Sequence, residues 1–297
     1  MTVGLHRITQ RMLVDTSTTQ LHARLGELAS VQEQISTRKV INRPSDSPTD
    51  TATVLRLRSS IAAQEQYARS AQDGVAWAGL IDQTLGGVGD QLRRARELTL
   101  QGVSDSSPQA SRDAIALEIE QIRDQLLTEA NTTYLDRPVF GGTTAGRQAY
   151  DEDGTYVGSP GHVVRAVGDS VRVRVDTPGP EVFGDGAGSV FAELDELVLA
   201  LRTGDQPAMR AGLDTLAARM DVVAQAQAVA GTTYNRLERA GEKARESALD
   251  LTGQLSGIED TDLAEASIEL SVQEVAYQAA LAATARVVQP SLVAFLT

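Results

Sequence analysis

Residues 209–255 read MRAGLDTLAARMDVVAQAQAVAGTTYNRLERAGEKARESALDLTGQL. Apolar, small or neutral side chains stand at Met209, Leu213, Leu216, Met220, Val223, Gln227, Ala230, Tyr234, Leu237, Gly241, Ala244, Ala248, Leu251 and Leu255, in alternating steps of four and three. That is a heptad seam, the pattern by which one helix lays a narrow stripe against another. Unbroken, it predicts a rod of roughly 70 Å at 1.5 Å rise per residue. No ordinary globular domain needs such a rod.

Working outward, the same period recurs on both sides. A helix over 49–101 has its seam at Val54, Leu57, Ile61, Ala68, Ala71, Val75, Ala78, Ile81, Leu85, Val88, Leu92 and Ala95. Gly86-Gly87-Val88-Gly89 weakens it by about 1 kcal/mol per glycine relative to alanine. After the turn Ser104–Pro108, a third helix to Ala130 gathers Ile115, Ile119, Ile122 and Leu126 on one face. The first helix, over 9–37, has its seam at Val14, Thr18, Leu21, Leu25, Leu28, Gln32 and Ile35. Pro44 and Pro48 end it, and Ser45 and Asp46 are suited to cap the helix that follows. Between Asn131 and Gly188 the helical period is lost. There Val163-Val164 and Val171–Val175 alternate as strands do, the latter with valine on one face and arginine on the other. A short helix covers Phe191–Leu201.

Glu259–Asp262 supplies capping oxygens to a last helix, whose seam runs through Leu263, Ala266, Leu270, Gln273, Tyr277, Ala280, Thr284 and Val287. Ile268, Val272, Val275 and Ala279 make a second, adjacent stripe, so this helix is built to be contacted on two sides. Pro290 interrupts it.

The fold class is therefore mainly α: a long helical coiled-coil bundle formed by N- and C-terminal segments, with a small central β-rich insert. Three parts are expected. Residues 1–42 and 257–297 hold the terminal helices, which pair as an inner coiled-coil domain; 43–130 and 189–256 form the helical bundle; 131–188 form the insert. The terminal seams, Leu21, Leu25, Leu28 and Ile35 with Leu263, Ala266, Leu270, Tyr277, Ala280 and Val287, are the candidate assembly interface, because each alone leaves an apolar stripe in water. The insert is expected to be dispensable for folding of the bundle, unless its valine face packs on the Met209–Val223 seam.

Composition narrows the functions. A net charge of −13 and a pI near 4.7 disfavour nucleic acid and anionic membranes as partners. The chain has no cysteine, which excludes disulfides, thiol catalysis and thiolate metal sites. No apolar run is long enough to span a bilayer, and the N-terminus carries no cleavable signal pattern, so no membrane insertion is expected. His6, His22 and His162 stand far apart, with no second ligand at metal spacing. Asp151–Gly154 is a turn and not a calcium loop, since its glycine comes early and His162 stands where the loop needs glutamate. Gly86–Gly89 lacks the lysine of a phosphate loop, and Gly158-Ser159-Pro160-Gly161 is no nucleophile elbow. No catalytic, cofactor-binding or metal residue is expected, no cofactor is needed, and the chain reads as no enzyme.

Four stretches resemble the flagellin family. Arg94-Ala95-Arg96-Glu97-Leu98-Thr99-Leu100-Gln101 is similar to its R-x-R-E-L-x-x-Q signature, with Gln72-Asp73-Gly74-Val75 upstream similar to N-D-G-I. Ile41–Pro48 resembles the loop between the first two helices, and Tyr234-Asn235-Arg236-Leu237-Glu238 resembles a C-terminal N-R-L-E motif. The ending Tyr277-Gln278-Ala279 through Gln289, Ser291, Leu292 and Phe295-Leu296 is similar to that of the hook-associated, hook–filament junction branch of the family, as is Val139-Phe140-Gly141-Gly142-Thr143 with Tyr156-Val157-Gly158. The resemblance implies a structural subunit of the bacterial flagellum joining hook to filament, needed for motility. It implies export without a cleaved signal peptide and coupled folding of the terminal helices. The implied partners are other copies of itself in a ring, flagellin on the filament side, another hook-associated protein on the hook side and an export chaperone, with no nucleic acid. Flagellin of the filament itself is the alternative reading.

Overall fold

The structure, a computed structural model, describes residues 10–104 and 107–288. His6 and Pro290 lie outside the described residues. The helices are α1 (Gln10–Thr37), α2 (Pro48–Gly102), α3 (Gln109–Ala130), α4 (Gly179–Phe183), α5 (Val190–Thr203), α6 (Gln206–Glu259) and α7 (Leu263–Val288). Two antiparallel hairpins interrupt them: β1 (Thr133–Tyr134) with β2 (Arg137–Pro138), and β3 (Val164–Ala166) with β4 (Arg172–Arg174). The fold is mainly α with a small β-rich insert, as the heptads and the loss of period after Asn131 predict. The glycine run 86–89 does not break α2.

The chain packs as two units. One is drawn from the described residues of Met1–Ala62 and Leu249–Thr297, the other is Ala63–Ala248. In the second, Met209, Leu216, Val223, Ala230, Leu237 and Ala244 of α6 are sealed from solvent, one residue in every seven. The first five share a cluster with Ile81, Leu85, Val88 and Leu92 of α2, with Ile115, Ile119, Ile122 and Leu126 of α3, and with Leu194, Leu197 and Leu201 of α5. Each such aliphatic side chain contributes about 1.5–3 kcal/mol on full burial, and together they hold the rod.

The insert carries the protein's bulky packing. Tyr150 lies 5.3 Å from the ring of Phe191, 5.4 Å from Tyr156 and 5.8 Å from Phe183, and Phe183 meets Phe140 edge-on at 5.1 Å. Asn131, at the end of α3, ties this cluster down: its side-chain oxygen accepts from the N–H groups of Ala149 and Tyr150, and its amide donates to the Tyr150 carbonyl. Burial pushes the Tyr150 phenol well above its ordinary pKa, and the neutral O–H donates to Gly184 O.

The insert also packs into the core of the bundle, the one condition under which it is not expected to be dispensable. Val173 and Val175 are buried in the same cluster as Val223 and Leu237, while Val171 is exposed. A Cβ on Gly74 of α2 would stand 3.0 Å from Leu237 and 3.3 Å from Val175, so the three elements close on one another at a glycine that leaves little room for a larger residue. Beside that contact Asp73 accepts from Tyr134 Oη at 3.1 Å and Arg165 Nε at 2.5 Å. The Arg165 guanidinium stands 5.8 Å from the ring of the single tryptophan, Trp77.

Candidate assembly interface

The first unit is thinly covered, and it begins with a staple between chain segments far apart in sequence. Val40 N–H donates to Glu259 O at 2.8 Å, Thr261 N–H donates to Arg38 O at 3.0 Å, and Lys39 bridges Asp260 in antiparallel register. The end of α1 is thereby fixed beside the start of α7, and the two helices run antiparallel along each other. Asp262 caps α7, accepting from Ala264 and Glu265 N–H. Ser47, not Ser45 or Asp46, caps α2 by accepting from Asp50 N–H at 3.4 Å. The Asp46 carboxylate instead closes the preceding loop on the N–H groups of Asn42 and Arg43, because Pro48 moves the helix start one residue on.

Glu259 is not a cap either. It is the last residue of α6, it is buried, and its carboxylate takes Lys39 Nζ at 2.5 Å and Arg58 at 2.6 Å. A buried carboxylate costs several kcal/mol in lost hydration, and two half-exposed cations offset that cost. The triad locks the α1–α2 loop, α2 and the end of α6 at one point.

The predicted seam residues fall on this antiparallel pair unevenly. Ala266 is buried; Leu21, Leu28 and Ile35 of α1 and Leu270, Gln273, Tyr277, Ala280 and Thr284 of α7 are half-buried. Two are not covered: Leu25 is 46% exposed and Leu263 is 44% exposed. The seam of α1 passes through buried Val31 in place of exposed Gln32. A straight helix drifts about 20° per heptad against a strict 3.5-residue repeat, so a pattern read over four heptads misplaces its members. Leu263 opens α7, where no preceding turn shields it. The Val287 side chain lies outside the described residues.

The second stripe of α7 is open. Ile268, Val272 and Val275 are 68%, 55% and 66% exposed and line a shallow trough with Ser267 and Ser271. Among the described residues nothing covers it. A helix exposing apolar side chains on the side away from its neighbour is built for further neighbours.

The motif residues divide between core and surface. Leu98 and Leu237 are buried. Arg94 reaches from α2 to Glu118 of α3 at 2.6 Å. Arg96, Glu97, Gln101, Asn235, Arg236 and Glu238 are exposed. No group of His, Asp and Glu among the described residues could hold a metal ion, and no described helix is long and apolar enough to cross a membrane. His162 bonds to buried Asp176, as a structural histidine does, and Asp151–Gly154 is the turn the sequence predicts.

The family model for the bacterial flagellin N-terminal helical region matches residues 8–143, and that for the flagellin C-terminal helical region matches 213–296. The chain belongs to the flagellin family. It is a structural protein of the flagellum and not an enzyme. The two matches together take in α1, α2, α3, β1 and β2, nearly all of α6, and α7. Among its relatives, flagellar hook-associated protein 3 of Escherichia coli K12 is 28% identical over 83% of this chain and 86% of its own. The solved structure of Bacillus cereus FlgL, 27% identical, superposes with a TM-score of 0.59 over 68% of this chain and 99% of that one. The flagellar junction protein FlgL of Legionella pneumophila, at 16% identity, shares the fold with a TM-score of 0.58 over 70% of this chain and the whole of its own.

Proposed function

We propose that this protein is the subunit that joins the flagellar hook to the filament. The observation that carries the reading is the similarity to a hook-associated protein over 86% of its length and to a solved FlgL over 99% of its own. The three-part division serves it. Residues 1–42 and 257–297 form the inner coiled coil, 43–130 and 189–256 the outer bundle, and 131–188 the insert braced on that bundle. Copies of the chain form a ring, with flagellin above it and another hook-associated protein below. The chain reaches that place unfolded at its ends through the flagellar export channel, escorted by a chaperone and without a cleaved signal peptide.

Assembly is coupled folding and binding at the terminal helices. Leu21, Leu28, Ile35, Ala266, Leu270, Tyr277 and Ala280 supply the internal seam, and Ile268, Val272 and Val275 the face offered to neighbours. Arg96, Glu97, Gln101, Asn235 and Glu238 lie exposed where bundles of adjacent copies meet. The test is Ile268→Asp with Val272→Asp. These exposed positions tolerate charge in the monomer, so melting is unchanged while incorporation into isolated flagella and motility are lost. Wild-type incorporation would remove the stripe from the mechanism. A filament flagellin is the second reading, favoured by the fact that both matching family models are those of flagellin.

A further inference from the structure

The turn joining β1 to β2 has an unusual composition. Leu135 and Asp136 are its two central residues, and both have positive φ, at 48° and 62°. Two-residue hairpin loops with this backbone are ordinarily Asn-Gly or Asp-Gly, because a branched or bulky side chain is strained there. Leu135 is also 76% exposed. A residue that both resists its conformation and wets an apolar side chain does nothing for the monomer, and such strain marks a contact made elsewhere.

The same unit holds a matching depression. Between β4 and α6 lies a groove of about 410 Å³ with a floor of Val173, Ala226 and Ala230 and with Val229 at its edge, 61% exposed. At roughly 30 Å³ per water this is room for about a dozen waters, ample for one leucine side chain. Its rim carries both charges: Arg236, which makes no ion pair among the described residues, and Glu181, whose side chain is 63% exposed and only 3.5 Å from Arg174. The hairpin tip offers the complement in adjacent residues beside the apolar Leu135: Asp136, held only by a fully wetted 3.6 Å pair with Arg147, for Arg236, and Arg137 for Glu181.

We propose that the β1–β2 tip of one copy seats in the β4–α6 groove of the next, with Leu135 on the valine–alanine floor. Between like-oriented copies such a knob-in-hole contact is head to tail, hence heterologous, the kind that propagates around a ring or along a helix. The proposal rests on the reading of the chain as a repeating flagellar subunit. It adds a second contact to that of the terminal helices, made by residues folded before assembly.

The test is Leu135→Asn, expressed in place of the wild-type chain. Asparagine suits the turn better than leucine, so the monomer melts at the same temperature or higher. Losing the buried leucine weakens association about ten- to a hundredfold. The variant is therefore exported into the medium but is at least tenfold depleted from isolated flagella. Wild-type incorporation of Leu135→Asn overturns the proposal. Because the chain has no cysteine, co-expressed Leu135→Cys and Val229→Cys chains carry the only thiols in the subunit. A short thiol cross-linker applied to isolated flagella joins them into a dimer, whereas Leu199→Cys with Val229→Cys gives none. Absence of the 135–229 dimer in flagella that contain both chains, or a product joining position 135 to a different protein, overturns it as well. Absence of even the wild-type chain from flagella would instead bring down the assembly reading, and this proposal with it.

Discussion

Gly74 is the point at which the welding of insert to bundle is most exposed to test. In Gly74→Ala the new methyl stands 3.0 and 3.1 Å from the two Leu237 Cδ atoms and 3.3 Å from Val175 Cγ1. Alanine in a helix interior gains about 1 kcal/mol over glycine. Overpacking a filled core costs about 1–3 kcal/mol. Here Val175 is β-branched and both neighbours are buried, so they have little room to give, the cost wins, and the net is a loss of about 1 kcal/mol. For a unit of this size that lowers the midpoint by about 2–4 °C. Gly231 is the control: it lies in α6 with nothing within 4 Å of its added methyl, so Gly231→Ala shows the propensity gain alone. Val175→Ala in the Gly74→Ala background removes the 3.3 Å contact and opens room for Leu237 to give, and the pair couples in a double-mutant cycle. Thermal and urea unfolding followed by circular dichroism read all four proteins. If Gly74→Ala stabilises as much as Gly231→Ala, Val175 and Leu237 do not close on α2 and the insert is not part of the core.

Two further outcomes follow from the charges. Glu259→Gln leaves Lys39 and Arg58 facing a neutral amide; both cations are half-exposed, so water takes up much of the loss, and the first unit is destabilised by about 1–2 kcal/mol, short of the 3–5 of a fully buried pair, which earlier proteolysis within 10–62 would reveal. Glu129 has its carboxyl pKa raised, first by burial and then by Asp90, and one of its oxygens is buried without a partner. The folded state thus keeps this proton to higher pH than the unfolded one, and stability falls as pH rises through the window just above the ordinary carboxylate value. Glu129→Gln abolishes that fall and is more stable than wild type at neutral pH, as urea midpoints across pH 4–8 would measure; equal midpoints at neutral pH would contradict it.

What the sequence made legible was whatever repeats. The rod from Met209 to Leu255 is carried by period alone, and the structure buries one residue in every seven along it. The second stripe of α7 was equally plain, since Ile268, Val272 and Val275 need only helical spacing to share a face. What stayed hidden depends on partners far apart in the chain. Glu259 looks like one of a run of capping acids until Lys39 and Arg58 arrive beside it. Tyr150, Tyr156, Phe183 and Phe191 have no mutual spacing, so nothing in the order of residues shows that their rings gather in one cluster. Val175 and Leu237 were both marked as apolar, but only the gap at Gly74 shows that they meet. Leu25 stands on the strict heptad, but the true helical period turns it toward solvent in the single subunit.

The account turns on where the subunit sits. Immunogold labelling of isolated flagella with antibody against the insert tests this most directly. A single band of label between hook and filament is predicted, with bare hooks and flagellin shed to the medium when the gene is deleted. Label distributed along the whole filament would contradict the junction assignment and make the chain a filament flagellin.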